Sequence, residues 1–259
     1  MIVLDRSCRP VVAHRGNRAH APENTLEAFA QAVAIGADAL EFDIRVTAEG
    51  IPVVMHDPDV RRTTDGSGEV ARMSFAQIQS LDAGARFTKD NGTTFPYRGK
   101  GHRVPSFDEV LDAFPAIPMI IEIKTTSAAQ AVRRAIEAHR AEDRVLVDSL
   151  ETATMTVFAD SRIPVGATRA DAIRTMTEIT LHLPLTPFVF EAFCLPPSYN
   201  GIPVPVRSFA KACEKQGKTL HIWTINDPAV ATELWTKGVQ GIITDDPATM
   251  LKTRERLPR

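Results

Sequence analysis

Short β-branched apolar runs alternate along the chain with longer segments in which apolar residues recur at helical spacing. The apolar runs predict strands over residues 11–13, 39–44, 52–56, 119–123, 145–149, 165–168, 189–194, 219–224 and 241–244. The longer segments predict helices over residues 25–35, 106–114, 127–141, 151–160, 207–216, 228–237 and 247–254, with a further, poorly capped helix within 171–187. This alternation is typical of a parallel sheet whose faces are covered by helices.

About eight strands in alternation with helices favour an α/β fold, a TIM (β/α)8 barrel, over an open doubly wound sheet. The length of 259 residues suits a single catalytic barrel domain. The stretch 59–104 interrupts the alternation, because it contains six glycines and only one short helical patch, at 74–81. Connections of this length are usually functional, so we expect a small insertion subdomain over one mouth of the barrel.

Composition and charge narrow the class of protein. The chain is 44% hydrophobic and 24% charged, which is enough apolar material for a full core. Its net charge of −2 and the lack of a basic run argue against nucleic acid as a partner. The sequence has neither a leader-like start nor a long apolar stretch, so we expect a soluble, cytoplasmic protein. Its three cysteines lack CxxC spacing, which argues against a disulfide framework or a zinc cluster.

Acidic side chains recur at the ends of two predicted strands. Glu41 and Asp43 are two residues apart and share one strand face, as do Glu122 and Lys124. In a parallel barrel the active site lies at this end of the strands, and burying several carboxylates there is costly without a cation. We therefore expect Glu41, Asp43 and Glu122 to bind one divalent ion, Mg²⁺ or Ca²⁺. The alternative is structural: Lys124 would form an ion pair with Glu122, and Arg45 would form one with Glu41.

Two histidines, His14 and His56, end the strands on either side of the carboxylate pair. Near neutral pH one such residue can act as a base while the other acts as an acid, although metal ligation is an alternative. Arg15 and Lys124 bring two positive charges to the same mouth, which suits an anionic ligand such as phosphate. The combination favours phosphoryl chemistry over glycoside hydrolysis, which needs neither a metal nor a pair of histidines.

Other strand ends carry weaker signals. Trp223, in HIWTIND, either forms an apolar wall for a substrate or packs in the core. Asp245 ends the last predicted strand, and Asp246, before Pro247, is expected to cap the final helix. Thr25 is expected to cap the first helix in the same way.

Ten short motifs follow one another along the chain. They are HRG at 14–16, PENT at 22–25, GADALEFD at 36–43, VVMHD at 53–57, RTTDGSG at 62–68, LDAG at 81–84, VPSFDEVL at 104–111, IEIK at 121–124, IWTIND at 222–227 and GIITDDP at 241–247. In this order and spacing, over about residues 11–251, the chain resembles the glycerophosphodiester phosphodiesterase family.

The resemblance implies a TIM barrel with a small insertion and a metal-dependent hydrolysis of glycerophosphodiesters to sn-glycerol 3-phosphate and an alcohol. It implies acid–base roles for His14 and His56, metal ligation by Glu41, Asp43 and Glu122, phosphate contacts by Arg15 and Lys124, and a glycerol-side contact by Trp223. The expected partner is a small-molecule diester, and the oligomeric state is left open.

Two stretches bear on substrate choice. Residues 17–21, NRAHA, are bulkier and more cationic than the small residues that the family has between HRG and PENT. The Pro-rich stretch 194–205 is either a surface loop or the border of an acyl chain, so a lysophospholipase D activity is an alternative. A barrel that binds phosphorylated ligands without turnover is a third hypothesis, which the complete set of presumed catalytic and metal residues opposes.

Overall fold

The strands and helices are described here from a computed structural model, which covers residues 1–258. The strands are β1 Val11–His14, β2 Ala39–Val46, β3 Pro52–Val54, β4 Met119–Ile123, β5 Val145–Asp148, β6 Ala192–Leu195, β7 Ser198–Tyr199, β8 Ile202–Pro203, β9 Thr219–Ile222 and β10 Gly241–Thr244. The helices are α1 Leu26–Ile35, α2 Phe75–Gln79, α3 Phe107–Ala113, α4 Ala129–Ala138, α5 Thr152–Thr156, α6 Arg169–Thr180, α7 Val206–Gln216, α8 Pro228–Thr236 and α9 Pro247–Glu255. Short 3-10 turns occur at Ile2–Leu4, Val60–Arg62, Val70–Arg72 and Thr126–Ala128.

Seven parallel strands form a curved sheet in the order β5, β4, β2, β1, β10, β9, β6. Its two edges are joined by residues 165 and 166, which make one parallel bridge to Val147 in β5 and one to Ala192 in β6. The sheet is therefore a nearly closed barrel, and the prediction of a TIM barrel is confirmed. The predicted strand at 165–168 is reduced to these two bridges. Gly166 occupies this narrow place because a Cβ there would lie 2.5 Å from Oδ1 of Asp148.

The predicted strand at 52–56 is not one of the parallel barrel strands. As β3, it is shorter and pairs antiparallel with the end of β2, with Arg45 opposite Val53. Only residues 47–51 connect the two strands, and the Thr47 N–H donates to the Ile51 carbonyl at 3.0 Å. A parallel neighbour requires a crossover of about a dozen residues, so a turn of this length forces the antiparallel direction. His56 consequently lies in the loop beyond β3.

Side-chain caps set the helix starts. Thr25 accepts a hydrogen bond from the Ala28 N–H, and Asp246 accepts one from the Thr249 N–H, so both predicted caps are confirmed. The helix expected within 171–187 is present as α6, but it starts earlier, at Arg169, and the expectation of a poor cap is wrong, because Thr168 forms a capping box.

Apolar side chains pack on both faces of the barrel sheet, outside it against the helices and inside it around the barrel axis. The larger layer lies between the strands and the outer helices, and includes Phe29, Phe42 and Phe107 on one side of the barrel. The smaller layer fills the barrel interior with Val12, Ala39, Ile120, Leu146, Ala192 and Ile243. The 3-10 turn Ile2–Leu4 closes the amino end of this interior, with Val3 fully buried against it. The opposite end is left open for the polar side chains that follow each strand.

The stretch 59–104 contains no barrel strand; its elements are two 3-10 turns and α2, which Ser74 caps with a capping box. Its apolar side chains Val60, Val70, Ile78 and Val104 form a cluster of their own, packed beside Met55. The assignment of this stretch as an insertion subdomain within one barrel domain stays a prediction. Along the described part of the chain, no helix combines the length and apolar character that a membrane crossing needs.

Candidate active site

The turn after β1 aims two side chains at the open mouth of the barrel. Arg15 has a φ of 55° and Gly16 a φ of 86°, so the chain bends sharply directly after His14. A Cβ on Gly16 would lie 2.7 Å from the Ala28 carbonyl carbon, so only glycine fits against α1. The Arg15 N–H donates to the Glu41 carbonyl at 2.7 Å, which fixes the turn against β2.

A cavity of about 260 Å³ opens at this mouth. All eight residues singled out from the sequence line it: His14, Arg15, Glu41, Asp43, His56, Glu122, Lys124 and Trp223. Ile120 and Ile243 from the barrel interior line it as well, together with Asp148 and Cys194. The convergence follows from the fold, since the carboxyl ends of parallel barrel strands meet around one axis.

Three carboxylates converge on one side of the cavity. Glu41, Asp43 and Glu122 each offer an oxygen atom, and the three atoms lie within 4.8 Å of one another. Burial raises the pKa of Glu41, and the neighbouring charge of Asp43 adds to that increase. Buried like charges at this spacing are stable only beside a cation, and oxygen atoms are the ligands that hard divalent ions prefer. The cluster is therefore one that could hold a metal ion.

Two cations already touch this cluster. Lys124 Nζ lies 2.6 Å from Glu122 Oε2 and 2.9 Å from Asp43 Oδ1, and Arg15 Nε lies 3.1 Å from Asp43 Oδ2. Burial alone would raise the pKa of Asp43, but the charges of Lys124 and Arg15 outweigh it and lower that pKa. The expected Glu122–Lys124 ion pair is present. The alternative Glu41 partner, Arg45, instead donates to the His56 carbonyl at 2.7 Å.

Each of the two histidines is held by a carboxylate at the same ring nitrogen. His14 Nδ1 lies 2.6 Å from Asp245 Oδ1, and His56 Nδ1 lies 2.6 Å from Asp57 Oδ1. A carboxylate accepts the Nδ1 proton, so Nε2 is the nitrogen left to exchange a proton with a ligand. Burial lowers the pKa of His56, although the charge of Asp43 and the Asp57 hydrogen bond act in the opposite direction.

The two carboxylates that hold the histidines were not assigned this role from the sequence. In the sequence, Asp245 stands out only as a strand-end residue and Asp57 only as part of the VVMHD motif. A histidine followed directly by an aspartate is a weak signal, because neighbouring side chains often point apart. The partner of His14 is 231 residues away along the chain, so only the closure of the barrel brings the two together.

Glu23 is a further residue that the sequence did not single out. Its carboxylate contacts Arg15 at 2.8 Å, Arg18 at 3.1 Å and Arg62 at 2.7 Å. Burial would raise the pKa of Glu23, but hydrogen bonds from Arg62 and the charges of the other two arginines lower it well below its usual range. Next to it, Asn24 donates to Asp43 Oδ2 at 3.2 Å. The PENT motif thus connects the first loop, the carboxylate cluster and residues 59–104.

Trp223 lies at the rim of the cavity, beyond the end of β9. Its side chain is 37% exposed, so core packing, the alternative considered for it, is wrong. Leu150 lines the same cavity and is 43% exposed. The rim therefore presents apolar surface above a charged interior, an arrangement that suits a small amphipathic ligand.

The barrel places all of these groups at the carboxyl end of its strands, as TIM-barrel enzymes do. Fold and site together define the chain as a TIM-barrel enzyme. A model of the glycerophosphoryl diester phosphodiesterase family matches residues 14–249. A glycerophosphodiester phosphodiesterase of Caldanaerobacter subterraneus is 30% identical over 250 residues, which are 93% of this chain and 96% of that protein. The chain belongs to the glycerophosphoryl diester phosphodiesterase family, and is a phosphoric diester hydrolase.

Solved structures agree on the fold. A glycerophosphoryl diester phosphodiesterase domain from Mycobacterium tuberculosis, 20% identical, superposes with a TM-score of 0.82 over 96% of this chain and 100% of that one. An Oleispira antarctica phosphodiesterase, solved in complex with the product sn-glycerol-3-phosphate, is 22% identical and superposes with a TM-score of 0.77 over 96% of this chain and 98% of its own. The family resemblance and the barrel prediction are both confirmed.

Proposed function

We propose that the chain hydrolyses glycerophosphodiesters to sn-glycerol 3-phosphate and an alcohol, with one bound divalent metal ion and with His14 and His56 as the acid–base pair. The observation that carries the proposal is one cavity lined by both carboxylate-held histidines and by the three-carboxylate cluster. The complex of the Oleispira phosphodiesterase with sn-glycerol-3-phosphate supports the choice of product.

Glu41, Asp43 and Glu122 would hold the metal, Mg²⁺ or Ca²⁺, because all three donors are carboxylate oxygens. A divalent cation bound there would neutralise charge that develops on a phosphate oxygen. The charges support this assignment. Glu41, Asp43 and Glu122 face two cations, Arg15 and Lys124, so one divalent ion would change the summed charge of these five side chains from −1 to +1. That charge matches the single negative charge of a phosphodiester.

The histidines would move protons at their Nε2 atoms. One accepts a proton from the attacking hydroxyl or water, and the other donates a proton to the departing alkoxide. Asp245 and Asp57 act as positioning residues, since each holds a ring by Nδ1 and leaves Nε2 facing the ligand. The lowered pKa of His56 favours the neutral, proton-accepting form of that ring at pH 7.

Arg15 and Lys124 would bind the phosphate oxygens. Both side chains are largely buried, and their carboxylate partners keep them charged. The carboxylates of Asp43 and Glu23 raise the pKa of Arg15 even though its burial acts to lower it. Trp223 would line the glycerol side of the substrate with its partly exposed side chain.

The test is release of sn-glycerol 3-phosphate from purified protein supplied with a panel of glycerophosphodiesters. EDTA should abolish the release, and Mg²⁺, Ca²⁺ or Mn²⁺, added one at a time, should restore it. Release of the phosphorylated alcohol in place of glycerol 3-phosphate would show that the other ester bond is cleaved. Full activity after removal of divalent ions would contradict the metal assignment.

A lysophospholipase D activity is a second candidate, because apolar side chains lie exposed near the cavity. The hairpin β7–β8 follows β6 and carries Tyr199, 52% exposed, and Ile202, 67% exposed. Leu150 lines the cavity and is 43% exposed, so an acyl chain leaving the cavity there would meet apolar surface. Comparing kcat/KM for lysophosphatidylcholine with that for glycerophosphocholine separates the two activities.

A further inference from the structure

A second cavity, of about 210 Å³, lies between the first loop and residues 59–104. The first loop contributes Arg18 and Glu23 to its wall, and the longer stretch contributes Arg62, Arg86 and Phe87. The Phe87 ring packs edge-on against Tyr97, whose hydroxyl donates to the His20 carbonyl at 3.1 Å. The two sides of the cavity are thus tied together across the gap.

Two side chains of this cavity contact residues at the active site. Glu23 lines the second cavity and contacts Arg15 of the first at 2.8 Å. Arg62 lines the second cavity and contacts Asp57 at 2.6 Å, and Asp57 in turn holds His56. The ion pairs of Glu23 and Arg62 therefore separate this cavity from Arg15 and from the aspartate that holds His56, which places it next to the site proposed for the phosphate.

The arginines of this wall are not equally satisfied. Arg62 uses Nε and both terminal nitrogens on Glu23 and Asp57. Arg18 uses Nε on Glu23 and one terminal nitrogen on Asp245, and among the described residues its other terminal nitrogen has no hydrogen-bond partner.

Arg86 is different from both. Its Nε donates to the Thr64 carbonyl at 3.1 Å, which holds the stem of the side chain in place. Within residues 1–258, no carboxylate lies within salt-bridge distance of its guanidinium. Two arginines of the cavity wall can therefore accept a further anionic partner. Arg86 is exposed, held in place and without a carboxylate among the described residues, and Arg18 has one terminal nitrogen that no described residue uses.

In a glycerophosphodiester the glycerol half is uncharged and invariant, so only the other alcohol can bring a second charge. We infer that this second cavity binds an anionic group, a carboxylate or a phosphate, on that alcohol, and that Arg86 with the free end of Arg18 selects diesters carrying one. The inference rests on the proposed function and names its substrate class. Arg18 belongs to the NRAHA stretch, which fits the expectation that these residues bear on substrate choice.

Two matched pairs of diesters test it, each differing by one anionic group. Glycerophosphoserine differs from glycerophosphoethanolamine by a carboxylate, and glycerophosphoinositol 4-phosphate differs from glycerophosphoinositol by a phosphate. The wild-type kcat/KM should be higher for the anionic member of at least one pair, and the pair that responds identifies the group. The advantage should shrink as NaCl is raised, because salt screens exposed charges.

The variant Arg86→Gln should lower kcat/KM for the preferred anionic diester about fivefold, the scale of one partly exposed ion pair. It should change kcat/KM for glycerophosphocholine less than twofold, and Arg86→Glu should enlarge the loss on the anionic diester. Arg72→Gln is the matched control, since Arg72 lies in the same stretch, has a side chain that is 81% exposed, and forms an ion pair with Glu69 outside both cavities. Thermal unfolding of each variant checks that the fold is retained.

Two results would overturn the inference. One is equal wild-type kcat/KM within both pairs, and the other is an equal loss on charged and choline diesters in Arg86→Gln. Glycerophosphocholine, whose alcohol carries no anionic group, reports on the proposed function alone. Its hydrolysis without any anionic preference would leave the proposed function standing and remove the inference.

Discussion

The two ends of the barrel interior are built on opposite principles. At the amino end, Val3 fills the opening, and its carbonyl accepts hydrogen bonds from Thr219 Oγ1 at 3.1 Å and His221 Nε2 at 2.8 Å. At the carboxyl end, Glu41, Asp43 and their neighbours crowd like charges around an open cavity. One end is closed and largely apolar, and the other is open and charged.

The difference shows how one barrel separates stability from function. Like charges held close together oppose folding. Without a bound metal ion, the carboxylates at the open end therefore lower the free energy of unfolding. The layer of Val12, Ile120, Leu146 and Ile243 between the ends contributes apolar burial that offsets this cost. Substitutions at the carboxyl end should therefore affect catalysis first, and substitutions at the amino end should affect stability first.

The largest effect is expected for His14→Ala. Loss of one proton-transfer group should lower kcat for diester hydrolysis by about 10²–10⁴-fold. The melting temperature should change little, because His14 lies at the charged end and not in the apolar layer. His182→Ala, at an exposed position, is the control for loss of an imidazole. Wild-type turnover in His14→Ala would remove this residue from the mechanism.

A smaller catalytic effect is expected for Asp245→Asn. The ring of His14 would lose the carboxylate that orients it, so kcat/KM should fall by about 10–100-fold. Asp246→Asn is the matched control, since asparagine caps a helix as well as aspartate does. If both variants lose activity equally, the effect belongs to the loop and not to His14.

At the closed end, the expected effect is on stability and depends on pH. Burial lowers the pKa of His221 to about 4, while an unfolded chain has a histidine pKa of about 6.5. Between pH 7 and pH 5, His221 becomes protonated in the unfolded chain but stays neutral in the native protein. The free energy of unfolding therefore falls as pH falls. This group should contribute about 2 kcal/mol to that fall.

Denaturant unfolding of His221→Gln at both pH values measures this contribution. The difference between wild type and variant should shrink at pH 5, because the variant lacks the group that destabilises the native protein there. The same substitution at the exposed His182 is the control. A variant with the full wild-type pH dependence would show that other groups are responsible.

The smallest effect is expected for Val3→Ala. Removing two buried methyl groups at the closed end should cost about 1–2 kcal/mol of unfolding free energy and leave kcat/KM unchanged. Val33→Ala makes the same change at a side chain that is 37% exposed, and should cost less. A fall in kcat/KM without a loss of stability in Val3→Ala would mean that the two ends are coupled.

The sequence predicts which residues form the site better than it predicts which of them contact one another. Residues such as Glu41, Glu122 and His14 could be grouped in advance, because parallel strands bring every carboxyl end to one mouth. The partnerships of Glu23 with Arg62 and of His14 with Asp245 could not be predicted. They depend on the paths of loops between residues 39 and 231 positions apart.

The fold, too, is predictable in its outline but not in its local strand pairings. The alternation of apolar runs and helical segments was enough to predict a barrel, but not the direction of β3, which the short turn at 47–51 decides. It also did not show that 165–168 would be reduced to two bridges. Local composition there suits a strand, whereas pairing depends on the space left between β5 and β6.

The closing of the amino end by Val3 has a consequence for the order of folding. The bonds from the Val3 carbonyl reach Thr219 and His221 across 216 and 218 residues of chain. Contacts of such separation carry a large loop-closure entropy and form only after the intervening units have assembled. We expect the turn Ile2–Leu4 to pack against the barrel only late in folding. Protection of its backbone amides from hydrogen exchange should therefore report that the barrel is complete.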